Sequence, residues 1–265
     1  MKKKLKSLIP PVVLNILINI KNQKYGWKGD YPTWQEAQKH AVGYNAGEIL
    51  KAVRSSLLKV KNGKAIYERD SVVFDKIQYS WKLLAGLMFC SSKMGGALSV
   101  LDFGGSLGST YYQNKKFLDR LKNVSWSIVE QKHFVDTGKE DFEDERLKFF
   151  YDVESCVAEE RPNILLLSSV IQYIEKPFEL LDTILEGSFD FILIDRTTFS
   201  TKNEKDIISV QKIRLKSYTS IPCWLFSERK FKSYFECKYF LLEEFDLFNE
   251  KTNEKYEKGM IWMRK

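Results

Sequence analysis

A glycine-rich turn and a carboxylate occupy positions where a nucleoside cofactor could be bound. The run Val-Leu-Asp-Phe-Gly-Gly-Ser-Leu-Gly at residues 100–108 is typical of a buried strand that enters a turn at a helix start. Glycines permit the tight turn and let backbone N–H groups approach a ligand closely. Glu130 ends a second apolar strand about 20 residues further on, where α/β nucleoside-binding folds place a ribose acceptor. Together these features predict a nucleoside cofactor.

The glycine spacing distinguishes between cofactors. A dinucleotide fingerprint reads Gly-x-Gly-x-x-Gly, whereas here Ser106 stands at the middle position and Gly105 is additional. The run resembles the Asp-x-Gly-x-Gly-x-Gly pattern of S-adenosylmethionine-dependent methyltransferases. An ordinary strand-to-helix turn is the alternative, and Glu130 favours the cofactor, whose product is S-adenosylhomocysteine. The predicted cofactor-binding residues are Asp102, Gly104, Gly105, Ser106, Gly108, Glu130, Gln131, Asp152, Ser168 and Ser169.

The elements that position these residues follow a repeating pattern. From Leu98 onward, short apolar strands alternate with amphipathic helices, which predicts a parallel sheet with helical crossovers. The last two strands have no helix between them and should form an antiparallel hairpin. We therefore expect an α/β, class I (Rossmann-like) methyltransferase fold, with a seven-stranded, mostly parallel sheet. The predicted strands are 98–103, 125–129, 147–151, 164–168, 189–195, 239–245 and 260–264, with helices over 110–121, 134–142, 177–185 and 227–235.

The chain is expected to divide near residue 95. Residues 1–95 show periodic apolar positions and almost no β-branched runs, which predicts a helical N-terminal cap that binds substrate. Residues 96–265 would form the cofactor-binding domain. The polar segment Ser200–Ile221 is expected to cover the acceptor site.

The carboxyl ends of parallel strands form one rim, so the residues there are interpreted together. Asp152 could accept from an adenine amino group, or it could cap the helix that follows. Ser168 and Ser169 leave room for a sulfonium, and Gln172 and Tyr173 would point toward an acceptor. Asp195 and Arg196 place a charged pair at the mouth of the site.

Methyl transfer requires alignment of the acceptor and exclusion of water, and a general base adds about 10²–10⁴-fold for a hydroxyl acceptor. Asp195 is the first candidate base, followed by Asp70 and His40. Asp195 could instead pair with Arg196, and His40 could lie on a helix surface. Serines stand where metal-dependent O-methyltransferases place acidic ligands, and the cysteines form no Cys-x-x-Cys pair, so no metal is predicted.

The N-terminal third carries aromatic and charged residues that could contact substrate. The glycines of residues 25–31 predict a loop, and aromatic rings in a loop can stack on a sugar or base. The charged run at residues 67–71 interrupts an expected apolar helix, which indicates an internal ion-pair network or contacts to the cofactor. The predicted substrate-binding residues are Tyr25, Trp27, Tyr67, Arg69, Gln172, Tyr173, Arg196 and Trp224.

The charge, apolar segments and cysteines of the chain indicate which classes of ligand and which cellular compartment to expect. The 265 residues carry a net charge of +7 from lysines spread along the chain, which fits anionic small molecules and is weak support for nucleic acid. The apolar segment 8–20 is too short to span a bilayer. We expect an amphipathic helix that packs on the domain or rests on a membrane surface as a peripheral contact. The four separated cysteines fit reduced thiols in a cytoplasmic protein.

Longer motifs carry a family resemblance over nearly the whole chain. Residues 67–71 (Tyr-Glu-Arg-Asp-Ser), 101–108, 129–131, 168–173, 194–197 and 222–227 resemble methyltransferases found in bacterial gene clusters for capsule, O-antigen and related surface glycans. The resemblance implies a class I fold, S-adenosylmethionine and a cytoplasmic role in making a surface polysaccharide. It favours O-methylation of a sugar hydroxyl, or of a phosphoryl or phosphoramidate substituent, on a nucleotide-activated or lipid-linked sugar.

Two other classes of function stay open. A nucleic-acid or other small-molecule methyltransferase would share the cofactor, although the chain lacks an Asn/Asp-Pro-Pro-Tyr motif. A non-catalytic module in a polysaccharide assembly complex would keep the fold without the reaction.

Overall fold

The computed structural model describes residues 26–42, 46–69, 71–201, 205–214, 218–247 and 255–265. In chain order its strands are β1 (Gly26–Tyr31), β2 (Tyr67–Arg69), β3 (Val72–Phe74), β4 (Ala97–Phe103), β5 (Asn123–Val129), β6 (Leu147–Phe150), β7 (Ile164–Ser168), β8 (Phe191–Ser200), β9 (Ile207–Arg214), β10 (Tyr218–Leu225), β11 (Tyr239–Asp246) and β12 (Lys255–Arg264). The helices are α1 (Trp34–Lys39), α2 (Ala46–Lys61), α3 (Trp81–Lys93), α4 (Ser109–Leu118), α5 (Lys132–Asp141), α6 (Val153–Glu160), α7 (Pro177–Glu186) and α8 (Glu228–Phe235).

One sheet of seven strands organises most of these elements. Its order is β11-β12-β8-β7-β4-β5-β6, in which β8, β7, β4, β5 and β6 run parallel. β12 runs antiparallel to β8, and β11 runs antiparallel to β12. The five parallel strands followed by an antiparallel hairpin confirm the predicted class I methyltransferase fold.

The sheet is buried on both faces, which explains its sequence pattern. Ile164, Leu165 and Leu166 are each 0 % exposed, because successive side chains on β7 enter opposite helical layers. Trp126 fills the space between β5 and Tyr111 of α4, with ring centroids 6.0 Å apart. This packing holds the carboxyl ends of the parallel strands in one rim.

The described chain forms two compact units. The smaller contains 26–42 and 207–224 within its described parts, and its sheet has the order β1-β9-β10, with β1 antiparallel to β9. Ala37, Ile208 and Val210 form its small apolar core. The larger unit contains the seven-stranded sheet together with α2, α3 and the β2–β3 hairpin. The division therefore does not follow the predicted boundary near residue 95.

Three segments differ from the sequence prediction. Residues 26–31 are a strand rather than a loop, and a register shift between Lys28 and Tyr31 accommodates Gly29. Residues 67–69 and 72–74 pair as a hairpin rather than forming part of a helix, because aromatic and β-branched side chains flank the charged run. The polar segment 200–221, expected to cover the acceptor site, contains strand β9 and the first half of β10.

In the described part of the chain, no helix is both long enough and apolar enough to cross a membrane. The segment 8–20, proposed above as an amphipathic helix, lies outside the described residues.

Candidate functional site

The turn after β4 adopts backbone conformations that its glycines make accessible. Gly104, Ser106 and Gly108 have φ values of +71°, +55° and +100°, all in the left-handed region. The Gly104 N–H donates to the carbonyl of Val129 on β5 at 2.9 Å. A Cβ atom on Gly104 would lie 2.4 Å from Val170, so the loop after β7 packs directly against this turn.

Asp102 lies beneath the same turn. Its side chain is 1 % exposed, and one carboxylate oxygen accepts from Trp126 Nε1 at 3.1 Å. A Cβ atom on Gly105 would lie 2.6 Å from this carboxylate. Burial raises the pKa of Asp102 to about 7, with the nearby charge of Glu130 adding to the shift. Asp102 therefore supports the turn from inside the protein.

Glu130 joins the turn to the end of β5. Its carboxylate accepts the backbone N–H of Gln131 at 2.7 Å and also the backbone N–H of Ser106. Burial raises its pKa, and these two backbone N–H groups act in the opposite direction. Gln131 is the N-cap residue of α5 and its side chain is exposed. The half-buried Glu130 carboxylate thus lies at the rim, beside the glycine turn.

Asp152 acts as a helix cap. It precedes α6, and its carboxylate accepts the backbone N–H of Ser155 at 2.7 Å. This hydrogen bond lowers the pKa of Asp152. The capping alternative is confirmed, and contact with an adenine amino group stays a prediction.

Three predicted residues meet where β7 ends beside the middle of β8. The Ser168 hydroxyl donates to Asp195 Oδ2 at 2.9 Å, and Arg196 donates to the same oxygen from Nε at 3.1 Å. Arg196 Nη2 also donates to Ser168 Oγ at 3.0 Å. Asp195 is 1 % exposed, and among the described residues its Oδ1 has no hydrogen-bond partner. The Asp195–Arg196 pair expected as an alternative is present, and it leaves one carboxylate oxygen unoccupied by any described group.

Gln172 connects the loop that follows β7 to the backbone of β8 at Arg196. It is 1 % exposed, and its amide N–H groups donate to the Arg196 carbonyl at 3.0 Å and to Ser169 Oγ at 3.4 Å. Tyr173 is half-buried in the same short 3-10 turn. Gln172 therefore holds two backbone segments at the rim.

Unfavourable backbone conformations concentrate at this rim. Ser106, Ser169 and Arg196 have φ values of +55°, +55° and +53°, and each follows the end of a parallel strand or lies within a bulged one. Left-handed conformations are costly for residues with a side chain, and they persist where the surrounding structure enforces them. Such strain is frequent at ligand-binding sites.

The β2–β3 hairpin lies beside the start of α4. The buried Tyr67 hydroxyl accepts from Gln113 Nε2 at 3.1 Å, and the buried Glu68 carboxylate accepts from the Ser109 hydroxyl at 2.6 Å. Arg69 is exposed on the hairpin. Two candidates from the N-terminal region, Tyr25 and Asp70, lie outside the described residues.

Three further candidates belong to the smaller unit. Trp27 is on β1 and pairs with Gln211 of β9. Trp224 on β10 stacks on Trp34, with ring centroids 6.0 Å apart. His40 is exposed at the end of α1 and stacks on Tyr31 at 5.0 Å, as expected for a histidine on a helix surface.

Sequence reasoning missed the residues that hold the turn from neighbouring elements. Trp126 was not assigned a role, although a tryptophan on a buried strand needs a partner for its N–H. Ser109 and Gln113 have a spacing of four along α4, which places them on one helix face, but nothing local indicates what they contact. Among the described side chains, no group of three or more His, Cys, Asp or Glu is arranged to hold a metal ion.

Comparisons with known proteins give structural likenesses of low sequence identity. No protein-family model matches the sequence, and no curated protein matches it. The N-terminal domain of EvdMO1, solved with S-adenosylhomocysteine (SAH) and D-fucose, is similar with 13 % identity and a TM-score of 0.48, over 84 % of this chain and 98 % of that one. The glycopeptide N-methyltransferase MtfA, solved with S-adenosylmethionine, is similar with 8 % identity and a TM-score of 0.46, over 69 % and 94 %. An S-adenosylmethionine-dependent methyltransferase from Clostridium acetobutylicum ATCC 824 has 9 % identity and a TM-score of 0.44, over 71 % and 92 %.

Proposed function

We propose that this protein is an S-adenosylmethionine-dependent methyltransferase. The observation that carries the proposal is the junction between the turn after β4 and the end of β5. There, the Glu130 carboxylate receives the backbone N–H of Ser106, and Gly105 packs on the buried Asp102. In a parallel sheet this junction is the place where a nucleoside lies.

The residues present fit this cofactor. A carboxylate has about four lone-pair sites, so two backbone N–H groups leave Glu130 able to accept both hydroxyls of a ribose. Gly104 and Gly105 let the turn pack against Val170 and the buried Asp102, and a cofactor without a pyrophosphate does not require a glycine in place of Ser106. When bound, the cofactor supplies an electrophilic methyl group on a sulfonium. Asp152 and Gln131, at the same rim, would complete the nucleoside contacts.

The acceptor would lie where β7 ends beside Asp195 and Arg196 of β8. Gln172 holds the loop that carries Ser169, and Arg196 is the cationic group at this place. Asp195 Oδ2 is engaged by Ser168 and Arg196, whereas Oδ1 has no partner among the described residues. Asp195 Oδ1 is therefore our candidate atom to receive the proton of an acceptor hydroxyl.

We infer O-methylation as the reaction and a sugar or a phosphoryl-type substituent as its acceptor. The family resemblance of the sequence supports a nucleotide-activated or lipid-linked precursor of a surface polysaccharide, acted on in the cytoplasm. The net charge of +7 is compatible with an anionic acceptor of this kind. The roles of Trp27 and Trp224 as substrate contacts, and of His40 as a candidate base, stay predictions.

Isothermal titration calorimetry tests the cofactor assignment. Wild-type protein should bind both S-adenosylmethionine and SAH, and Glu130→Ala should weaken both affinities about 10- to 100-fold, since two charge-assisted hydrogen bonds are lost. Glu145→Ala is the matched control, because Glu145 is an exposed carboxylate and should leave the affinity unchanged. Wild-type protein that binds neither molecule would refute the proposal.

A transfer assay tests the acceptor class. Wild-type protein with methyl-labelled S-adenosylmethionine should label a member of a panel of nucleotide sugars, and Asp195→Asn should lose turnover while keeping its affinity for SAH. Label that appears in RNA or DNA offered in parallel would instead support the nucleic-acid alternative. Cofactor binding without transfer to any member of the panel would favour the non-catalytic module.

A further inference from the structure

A buried carboxylate on the β2–β3 hairpin contacts the helix that follows the glycine turn. Glu68 is 2 % exposed. Its Oε1 accepts the backbone N–H of Ser71 at 2.7 Å, and its Oε2 accepts the hydroxyl of Ser109 at 2.6 Å. One side chain thus closes its own hairpin and reaches the first residue of α4. Hydrogen bonds to a charged acceptor are about twice as strong as those between neutral groups.

No side chain caps the start of α4. Its N-cap residue is Gly108, with φ +100°. An N-cap Ser, Thr, Asp or Asn would normally accept one of the first N–H groups of the helix. Ser106, two residues earlier, is itself left-handed. The position of this turn therefore depends on contacts from elsewhere in the protein.

A second contact follows one turn along the same helix. Gln113 donates to the Tyr67 hydroxyl at 3.1 Å and to the Gln78 carbonyl at 2.5 Å. Ser109 and Gln113 are four residues apart, so both hairpin contacts lie on one face of α4. On its other side the hairpin is tied to α2, because the Ser56 hydroxyl donates to the Ser71 carbonyl at 2.8 Å. The hairpin thus links α2 to the helix that begins at the glycine turn.

We propose that Glu68 is a positioning residue for cofactor binding, acting through Ser109 on the glycine turn. The inference rests on the proposed function, because it assigns the turn to S-adenosylmethionine. Glu68 would hold Ser109 in place before the cofactor arrives, so that binding does not have to order the helix start. Preorganisation of this kind increases affinity by reducing the cost of ordering on binding.

A merely structural role would predict something different. If Glu68 only stabilised the hairpin, its removal would lower the free energy of unfolding and leave the cofactor affinity of the folded protein unchanged. Ser56 provides the matched control, since it bonds the same hairpin at 5 % exposure but on the side of α2. The affinity for SAH therefore separates the two roles.

The experiment is a double-mutant cycle on full-length protein, read by calorimetry with SAH and by thermal unfolding without ligand. Glu68→Ala and Ser109→Ala should each weaken SAH binding about tenfold, the size expected for one hydrogen bond to a charged group. The double variant should bind no worse than the weaker single variant, because both changes break the same contact. Ser56→Ala should lower the unfolding temperature and keep wild-type affinity.

Glu68→Gln provides the rescue. Its amide oxygen can accept from the Ser71 N–H while its amide nitrogen donates to Ser109 Oγ, so the affinity for SAH should stay within about twofold of wild type.

The inference is overturned if Ser109→Ala binds SAH like wild type, if the losses of affinity in Glu68→Ala and Ser109→Ala add in the double variant, or if Ser56→Ala loses as much affinity as they do. Ser109→Ala carries the test alone should Glu68→Ala fail to fold. Failure of wild-type protein to bind SAH would refute the proposed function instead. The wild-type titration therefore tests the proposed function, and the variant titrations test the role of Glu68.

Discussion

Replacing the buried Asp102 by asparagine should stabilise the protein at neutral pH. The carboxyl group is 1 % exposed, and burial raises its pKa from the ordinary 3.8 to about 7. The Trp126 N–H and the charge of Arg196 oppose this shift, and the charge of Glu130 adds to it. The ionised form of Asp102 is therefore unfavourable in the folded protein.

The sign and size of the effect follow from proton linkage. Between about pH 4 and pH 7 the folded protein retains a proton on Asp102 that the unfolded chain releases, so stability falls as the pH rises through this interval. A displacement of about three pKa units corresponds to ~4 kcal/mol. In Asp102→Asn the amide oxygen can still accept from Trp126 Nε1, and no charge forms at any pH. The variant should match wild type near pH 4 and exceed it by up to ~4 kcal/mol near pH 8.

Urea unfolding of ligand-free protein at a series of pH values measures this difference directly. Glu145→Gln is the control, because Glu145 is exposed and its difference from wild type should not change with pH. A difference between Asp102→Asn and wild type that is the same at both ends of the pH range would refute the reasoning. A variant less stable than wild type near pH 8 would refute it as well.

Three further predictions concern single contacts. Gly105→Ala should cost about 1–3 kcal/mol of stability and weaken SAH binding, because its Cβ would lie 2.6 Å from the Asp102 carboxylate; urea unfolding and calorimetry measure the two effects. Asp152→Ala should lower the free energy of unfolding by about 1 kcal/mol, because the Ser155 N–H loses its capping acceptor. Asp152→Asn should keep most of this stabilisation, and urea unfolding distinguishes the two variants. For Glu228, burial would raise the pKa, but hydrogen bonds from two lysines and a tyrosine lower it to about 2. Its stabilisation should be complete above about pH 5 and be lost as the pH falls toward 2, and Glu228→Gln should remove this acid sensitivity in thermal unfolding scans.

The seven-stranded sheet could be predicted because each of its parallel strands is a short apolar run that is visible in the local sequence. Strand β7 has the predicted bounds Ile164–Ser168, since a short apolar run between turn residues identifies a fully buried strand. Strand β8 continues beyond the predicted end at Asp195 to Ser200, because β12 pairs along its whole length. Pairing with a distant strand leaves no signal in the local sequence.

The smaller sheet and the hairpin contacts were not predicted for the same reason, because they depend on residues far apart in the sequence. Strand β1 contains two glycines and pairs with β9, which lies far along the chain, so its own sequence is typical of a loop. Strand β9 begins with Ile-Ile-Ser-Val, in which three of four residues are β-branched, and this local strand signal was missed because polar residues surround it. Within the site, the rim residues Glu130, Ser168 and Asp195 followed from the predicted strand ends, although β8 itself continues past Asp195. The contact of Glu68 with Ser109 did not, because it depends on how a hairpin packs against a helix.

The two carboxylates nearest the glycine turn have different environments and therefore different roles. Asp102 lies beneath Gly105 and is not exposed, so it can affect a bound ligand only through the shape of the turn. Glu130 is half-buried at the rim and already receives two backbone N–H groups, which oppose the rise in its pKa caused by burial. Hydroxyl donors from a ligand would favour the ionised form of Glu130 in the same direction. Burial raises the pKa of both carboxyls, but Glu130 receives two backbone N–H groups at the rim, so a negative charge there is better supported and lies where a ribose could use it.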